Sequence, residues 1–298
     1  MAETKRVVIT GAAGFAGYSL TMELLNRGFE VYAVLRPYSE HNKRFSEVNA
    51  NFHPIELDSS DFDRIPEHID ERCGVFYHLA WFGGRDDFET QNANIDYTLK
   101  ALEAAKVSGC KRFVCTGSQA EYGLCTRVIS ESLMPNPINA YGSAKTAAMY
   151  LTKRRAEQLG IEWIWGRIFS LYGDYEPSGR MLPDLLGKLS RNEEVHLSSC
   201  EQNWDYLHVL DAARAIADIG EKGKSGEIYN IANGDYKPLK QFVECAKKTL
   251  DSRSKVVYGD RANPFVSLQP DVSKIVKDTG WKPDISFIEG VRRFTDSL

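Results

Sequence analysis

The apolar residues of the chain follow two alternating patterns. Residues 7–9 form a short β-branched run, and Leu20 and Leu24 then recur at helical spacing up to Gly28. A short apolar run is typical of a buried parallel strand, and the helical spacing is typical of a helix that covers it. The N-terminal segment is therefore predicted to be a strand followed by a helix.

The same alternation continues to about residue 170. Later strands are predicted at residues 30–35, 52–57, 75–80, 112–115 and 163–165 with 168–169, and helices at 94–108 and 140–159, the second closed by Gly160. Repeated strand–helix units build a doubly wound parallel sheet, because right-handed crossovers place helices on both faces. The predicted fold class is α/β.

Beyond Tyr172 the alternation becomes irregular, and a smaller C-terminal α/β lobe is predicted to begin there. A helix from about Val209 and a strand at residues 227–231 are expected to return to the main sheet. The main domain is thus predicted to span residues 1–171 plus about 203–235. The lobe is predicted to span residues 172–202 plus 236–298.

Three glycines at every third position lie between the first strand and its helix. Gly11 permits a tight turn, Gly14 lets the backbone approach a pyrophosphate, and Gly17 lets the helix pack close to the strand. A plain turn is the alternative, but the position between the first strand and a second one favours a Rossmann-type NAD(P)-binding domain. The predicted cofactor contacts in this turn are Gly11, Ala13, Gly14, Phe15, Ala16 and Gly17.

Arg36 stands at the end of the second predicted strand, where a dinucleotide fold places the group that contacts the adenosine ribose. A guanidinium suits a 2′-phosphate through charge-assisted hydrogen bonds, whereas an acid would accept from a 2′-hydroxyl. NADP(H) is therefore favoured as the cofactor, and NAD remains possible. The alternative is a solvated surface arginine.

Tyr141 and Lys145 are four residues apart on a predicted helix, and Ser118 follows the fifth strand. Residues at this spacing share a helix face, so a phenol and an ammonium can meet over one substrate atom. A neighbouring positive charge favours the phenolate, which makes the tyrosine a usable acid and base. An ordinary helix face is the alternative interpretation of a Tyr-x-x-x-Lys pattern alone.

With these motifs in place, the chain resembles the extended short-chain dehydrogenase/reductase family, which contains sugar-nucleotide epimerases, dehydratases and ketoreductases. The resemblance runs nearly end to end. Its matching segments are residues 10–17, 57–58, 78–80, 94–95, 116–118, 122–123, 141–145, 167–173, 205–209 and 280–283.

The resemblance implies roles for particular residues. Further cofactor contacts would be Asp58, Ser59, Leu79, Ala80 and Asn94, and the catalytic residues would be Ser118, Tyr141 and Lys145, of which Tyr141 and Lys145 also face the cofactor. The second lobe would hold a nucleoside diphosphate sugar, with Arg261 or Arg180 at the diphosphate unless they are surface arginines. A homodimer is expected through the helices at 94–108 and 140–159, although their apolar residues can also pack on their own sheet.

Four positions depart from the family pattern. Gln119 and Ala120 stand where dehydratases carry an Asp-Glu pair, which disfavours elimination. Trp204 replaces an arginine that often binds phosphate, and Ser170 replaces an asparagine. The prediction is therefore an NADP(H)-dependent oxidoreductase that reduces a 4-keto nucleotide sugar at C4. The alternative is a nucleotide-sugar 4-epimerase, and a catalytically silent cofactor sensor is the third hypothesis.

Charge and composition bear on the expected partners, cellular location and metal sites of the protein. The net charge is −4 with both signs interspersed, so no nucleic-acid partner is expected. No apolar run reaches membrane-span length, and the N-terminus is not typical of a signal peptide, so a cytoplasmic location is expected. The six cysteines lie far apart, which predicts reduced thiols and no metal site. His78 is predicted to be structural, because no carboxylate partner lies near it in sequence.

Overall fold

The computed structural model describes residues 5–177, 179–262 and 266–296. Its strands are β1 (Arg6–Thr10), β2 (Glu30–Leu35), β3 (Phe52–Glu56), β4 (Val75–His78), β5 (Arg112–Ser118), β6 (Glu162–Ile168), β7 (Leu171–Tyr172), β8 (Val195–His196), β9 (Asn203–Trp204), β10 (Leu207–His208), β11 (Ile228–Ile231), β12 (Lys237–Pro238) and β13 (Val256–Val257). Its α-helices are α1 (Phe15–Asn26), α2 (Phe88–Val107), α3 (Ala140–Leu159), α4 (Met181–Ser190), α5 (Val209–Lys222), α6 (Leu239–Thr249), α7 (Ser273–Thr279) and α8 (Phe287–Asp296). Short 3₁₀ helices occupy Glu40–Phe45, Ser59–His68 and Gln119–Glu121.

Seven parallel strands form the main sheet in the order β11-β6-β5-β4-β1-β2-β3. Side chains along β1 alternate between the two faces, as the pleat of a strand requires. Val7 and Ile9 pack in the core with α1 and α5, whereas Val8 packs in the core with α2 and α3. The predicted doubly wound α/β fold is confirmed.

The bounds of several elements differ from those predicted. β5 continues to Ser118, and β6 is one strand across the predicted interruption. α2 begins at Phe88 rather than at residue 94, because the Asp87 side chain accepts a hydrogen bond from the amide of Thr90 and caps the helix. β3 and β4 end before the predicted residues 57 and 80.

The chain returns to the sheet after residue 172, as predicted. β11 pairs in parallel with β6, and α5 begins at Val209. A separate apolar core lies among α4, α6 and α8, where Leu186, Phe242 and Val291 are buried. Among the described residues, no helix is long and apolar enough to cross a bilayer.

Candidate active site

Two glycines at the junction of β1 and α1 stand where there is no space for a side chain. Gly11 has a φ of +71°, and a Cβ there would lie 2.7 Å from the backbone nitrogen of Ala80. A Cβ on Gly17 would lie 2.0 Å from the carbonyl oxygen of Gly11, so α1 packs directly on the turn. Gly14 precedes α1 without a side-chain cap. The first amides of α1 are therefore available to an anion, aided by the positive end of the helix dipole.

A cavity of about 180 Å³ opens beside this turn. The predicted cofactor residues that line it are Gly11, Ala13, Gly14, Arg36, Ser59, Leu79 and Ala80. Trp81 and Phe82 complete its wall after β4. A cleft with a glycine-containing turn, uncapped helix amides and an arginine fits a dinucleotide phosphate.

The other predicted cofactor residues do not line this cavity. Phe15, Ala16 and Gly17 form the first turn of α1. Asp58 is exposed beside Ser59. Asn94 is buried and donates its amide to the carbonyl oxygen of Phe82 at 2.8 Å, so it holds the wall of the cavity from behind.

Two arginines flank the turn from the side of β2. Arg36 is exposed and reaches the cavity. Arg44 donates to the carbonyl oxygen of Ala13 at 2.8 Å, and its guanidinium lies 4.4 Å from the centre of the Tyr175 ring. Of these two arginines, Arg36 has no side-chain partner among the described residues, whereas Arg44 already has protein partners.

The three predicted catalytic residues meet where β5 faces α3. Asn139 caps α3 by accepting from the amide of Gly142 at 2.8 Å, which fixes the turn that carries Tyr141. Ser118 lies close enough to Tyr141 to lower the pKa of its phenol. Lys145 follows one turn later on the same helix, and its Nζ donates to the carbonyl oxygen of Thr116 at 2.7 Å.

Burial is the largest influence on the pKa values of Tyr141 and Lys145. Burial raises the pKa of Tyr141 from its ordinary value, while the nearby Ser118 and the charges of Arg85 and Arg180 oppose the rise. Burial also lowers the pKa of Lys145 to about 8. Tyr141 is therefore a neutral phenol beside a lysine that ionises close to neutral pH.

A buried ion pair beneath Ser118 was not predicted. Glu121 accepts from Arg167 Nε at 2.7 Å, from the indole of Trp165 at 2.9 Å and from the amide of Ser118 at 2.8 Å. The Ser118 hydroxyl in turn accepts from the amide of Ala120 at 3.2 Å, which completes a capping box. The Ser-x-x-Glu spacing at 118–121 was the available signal.

His78 has the predicted structural role. Its Nδ1 lies 2.8 Å from the hydroxyl of Thr10 and its Nε2 lies 3.2 Å from the hydroxyl of Thr98. Burial, helped by the charge of Lys145, lowers its pKa to about 3, so the imidazole is neutral. It ties β1 and β4 to α2 directly below the glycine turn.

Comparison with family models shows to which group of proteins the chain belongs. The model of the NAD dependent epimerase/dehydratase family matches residues 7–232. The chain belongs to this family. The expected likeness to extended short-chain dehydrogenases/reductases is thereby confirmed, and the protein is an enzyme of a group that uses a nicotinamide cofactor.

Individual family members are similar along nearly the whole chain. A UDP-glucose 4-epimerase of Corynebacterium glutamicum is 26% identical over 98% of this chain and 96% of its own. A UDP-N-acetyl-alpha-D-glucosaminuronate decarboxylase of Bacillus cytotoxicus is 25% identical over 97% of this chain and 96% of its own. The structure of a UDP-glucose 4-epimerase from Thermotoga maritima with UDP-glucose superposes with a TM-score of 0.86, 27% identity and coverage of 98% and 99%.

Two positions that depart from the family pattern contact each other. The indole of Trp204 donates to the Ser170 hydroxyl at 3.0 Å. Of the two candidate diphosphate arginines, Arg180 starts α4 and lies close enough to act on the pKa of Tyr141. Arg261 is exposed.

Proposed function

We propose that this family member transfers hydride at C4 of a nucleoside diphosphate sugar. The observation that carries the proposal is the placement of Tyr141 close to Ser118 and one helical turn before Lys145. A bound nicotinamide supplies the hydride acceptor and donor. The residues that would hold its dinucleotide are the glycine turn, Arg36 and the wall at 79–82.

In the proposed chemistry, three side chains take part in one proton transfer. Ser118 donates a hydrogen bond that orients the sugar oxygen. Tyr141 removes the hydroxyl proton as hydride leaves C4, and in the opposite direction returns it to the carbonyl oxygen as hydride arrives. The Lys145 ammonium lowers the energy of the phenolate that forms in the first case. The neutral Tyr141 is already in the state needed for reduction.

Epimerisation and reduction both use this step. The 4-epimerase is the first candidate, supported by similarity to the UDP-glucose 4-epimerases of Corynebacterium glutamicum and Thermotoga maritima. Reduction of a 4-keto sugar is the second, supported by Arg36 at the cavity, since a guanidinium there favours NADP(H), a source of net reducing equivalents. Elimination is disfavoured because Gln119 and Ala120 provide no acid or base.

Product analysis with two substrate types distinguishes these reactions. We expect the enzyme with NAD⁺ or NADP⁺ to interconvert a UDP-hexose and its C4 epimer without net change in the cofactor if it is an epimerase. With NADPH and a nucleotide-linked 4-keto sugar, loss of NADPH and a product two mass units heavier would identify a reductase. Absence of both reactions contradicts the proposal.

Tyr141→Phe tests the role of the phenol. We expect the variant to fold, to bind the dinucleotide and to lose activity by about 10²–10⁴-fold, because general acid–base catalysis contributes that much. Dinucleotide affinity measured by calorimetry is the control. A variant as active as the wild type would favour the cofactor-sensor hypothesis.

We also propose a homodimer formed through α2 and α3. Exposed apolar side chains gather on these helices and the segment before α3: Phe88 is 74% exposed, Ile138 59% and Leu151 49%. Phe88 and Ile138 also line a second cavity between the two helices. A second copy of the chain would bury this surface.

A further inference from the structure

Trp81 lies between the cofactor cavity and the two residues of α3 that the proposed function assigns to proton transfer. It follows Ala80, whose backbone packs against Gly11, and it lines the same cavity. Neither the glycine motif nor the Tyr-x-x-x-Lys motif includes it. The structure places it there because the chain leaves β4 at His78 and continues along the carboxyl edge of the sheet.

The indole of Trp81 contacts both members of the pair. The Nζ of Lys145 lies 3.7 Å from the centre of the Trp81 ring. The Tyr141 ring lies 6.2 Å from it at an interplanar angle of 85°, an edge-to-face contact. One side chain therefore presents its π-face to the ammonium and packs against the phenol.

Buried amides fix the indole in this position. Trp81 Nε1 donates to Gln91 Oε1 at 2.8 Å, and the Gln91 amide donates to the carbonyl oxygens of Gly84 at 2.9 Å and Phe82 at 3.3 Å. Asn94 adds a bond to the Phe82 carbonyl at 2.8 Å. Gln91 and Asn94 are 1% and 2% exposed. Buried side chains of α2 thus hold the segment after β4 through hydrogen bonds for which solvent does not compete.

Lys145 needs such a contact because it is 3% exposed and has few compensating groups. Its ammonium donates to the Thr116 carbonyl oxygen, and among the described residues Lys145 forms no ion pair with a carboxylate. The titratable groups that act on its pKa are the Cys115 thiol of β5 and the Glu121 carboxylate, and its own charge acts on the neutral His78 imidazole of β4. An aromatic face attracts a desolvated ammonium but gives a neutral amine no such stabilisation.

We propose that Trp81 is a positioning residue of this site, which keeps the Lys145 ammonium charged and directed along α3 towards Tyr141. The inference rests on the proposed function for its catalytic consequence, while the effect on Lys145 itself is independent of any substrate.

Three variants distinguish the effect of the aromatic face of Trp81 from the effect of its size. Trp81→Leu removes the π-face, Trp81→Phe keeps it without the bond to Gln91, and Phe82→Leu is the matched control, since Phe82 lines the same cavity but its ring packs on Tyr97. The titration of Lys145 is followed by NMR on protein labelled with ¹³C at lysine Cε, and Lys145→Met assigns the signal. Thermal unfolding checks that each variant is folded.

We expect the proton affinity of Lys145 to fall by about 3- to 30-fold in Trp81→Leu, the range that cation–π contacts produce. We expect it to stay close to wild type in Trp81→Phe and in Phe82→Leu. With a nucleotide sugar that the wild type converts, kcat should fall in Trp81→Leu more than KM rises, and the optimum of kcat should move with the Lys145 titration.

An unchanged Lys145 titration in folded Trp81→Leu overturns the inference, and so does an equal loss in Phe82→Leu. If the wild type converts no nucleotide sugar, the proposed function fails, yet the NMR titration still decides the role of Trp81. The two failures are therefore distinguishable.

Discussion

Lys145 is a buried ammonium, and its environment makes stability depend on pH. Its pKa falls from 10.5 to about 8 on folding because of burial. Below pH 8 both states carry the charge, and the folded state bears the cost of desolvation. Between pH 8 and 10.5 the unfolded state binds more protons than the folded state, so the free energy of unfolding rises with pH.

Lys145→Met removes this dependence. We expect the free energy of unfolding of the wild type, relative to the variant, to increase by roughly 1–3 kcal/mol between pH 8 and 10.5. Urea unfolding over this range measures it, and Lys43→Met, at an exposed lysine, corrects for the change in net charge. A difference that stays constant with pH would show that Lys145 is not desolvated.

Arg36 carries the proposed preference for NADP(H). We expect Arg36→Asp to shift the ratio of NADP⁺ to NAD⁺ affinities towards NAD⁺ by about 10- to 100-fold, because it replaces a partner of the 2′-phosphate by an acceptor for the 2′-hydroxyl. Calorimetric titration with each dinucleotide gives the ratio. Lys43→Asp makes the same charge change at an exposed position nearby, and an equal shift there would argue against a specific contact.

At the scale of the element, the β1–α1 unit depends on Gly17. A Cβ there would overlap the Gly11 carbonyl at 2.0 Å, and relief would require α1 to move away from β1. We expect Gly17→Ala to destabilise the fold by about 1–3 kcal/mol and to abolish dinucleotide binding. Gly187→Ala is the control in α4, where the nearest atom is a flexible Arg191 side chain at 3.4 Å.

The control should be neutral or stabilise the protein by up to about 1 kcal/mol, since alanine favours a helix interior over glycine. Thermal unfolding and NAD⁺ titration test both variants. If Gly17→Ala binds the dinucleotide as the wild type does, close packing of α1 on the turn is not required for binding.

For the whole molecule, the exposed apolar surface on α2 and α3 predicts a homodimer in solution. We expect sedimentation to give a dimer at micromolar concentration and Leu151→Glu to dissociate it, because burying a carboxylate at such an interface is unfavourable. Ile288→Glu makes the same change on α8, where Ile288 is 44% exposed, and should leave the association unchanged. A monomeric wild type contradicts the prediction. The division into a cofactor domain and a lobe also stays a prediction.

The sequence by itself determined what depends on neighbours along the chain. The alternation of apolar runs specified the parallel α/β sheet, the glycine spacing specified the turn after β1, and the four-residue spacing placed Tyr141 and Lys145 on one helix face. Local spacing fixes these features because the helix and strand repeats determine which side chains share a face.

The tertiary structure alone decided which remote side chains support that pair. Three contacts join residues of separate elements that no local spacing relates. They are those of Trp81 with Lys145, Glu121 with Arg167 and Trp204 with Ser170. Such contacts depend on how α2, α3 and the strand ends pack, which is set by the whole core rather than by a motif. The motif residues could therefore be predicted from the sequence, whereas the remote residues that contact them could not.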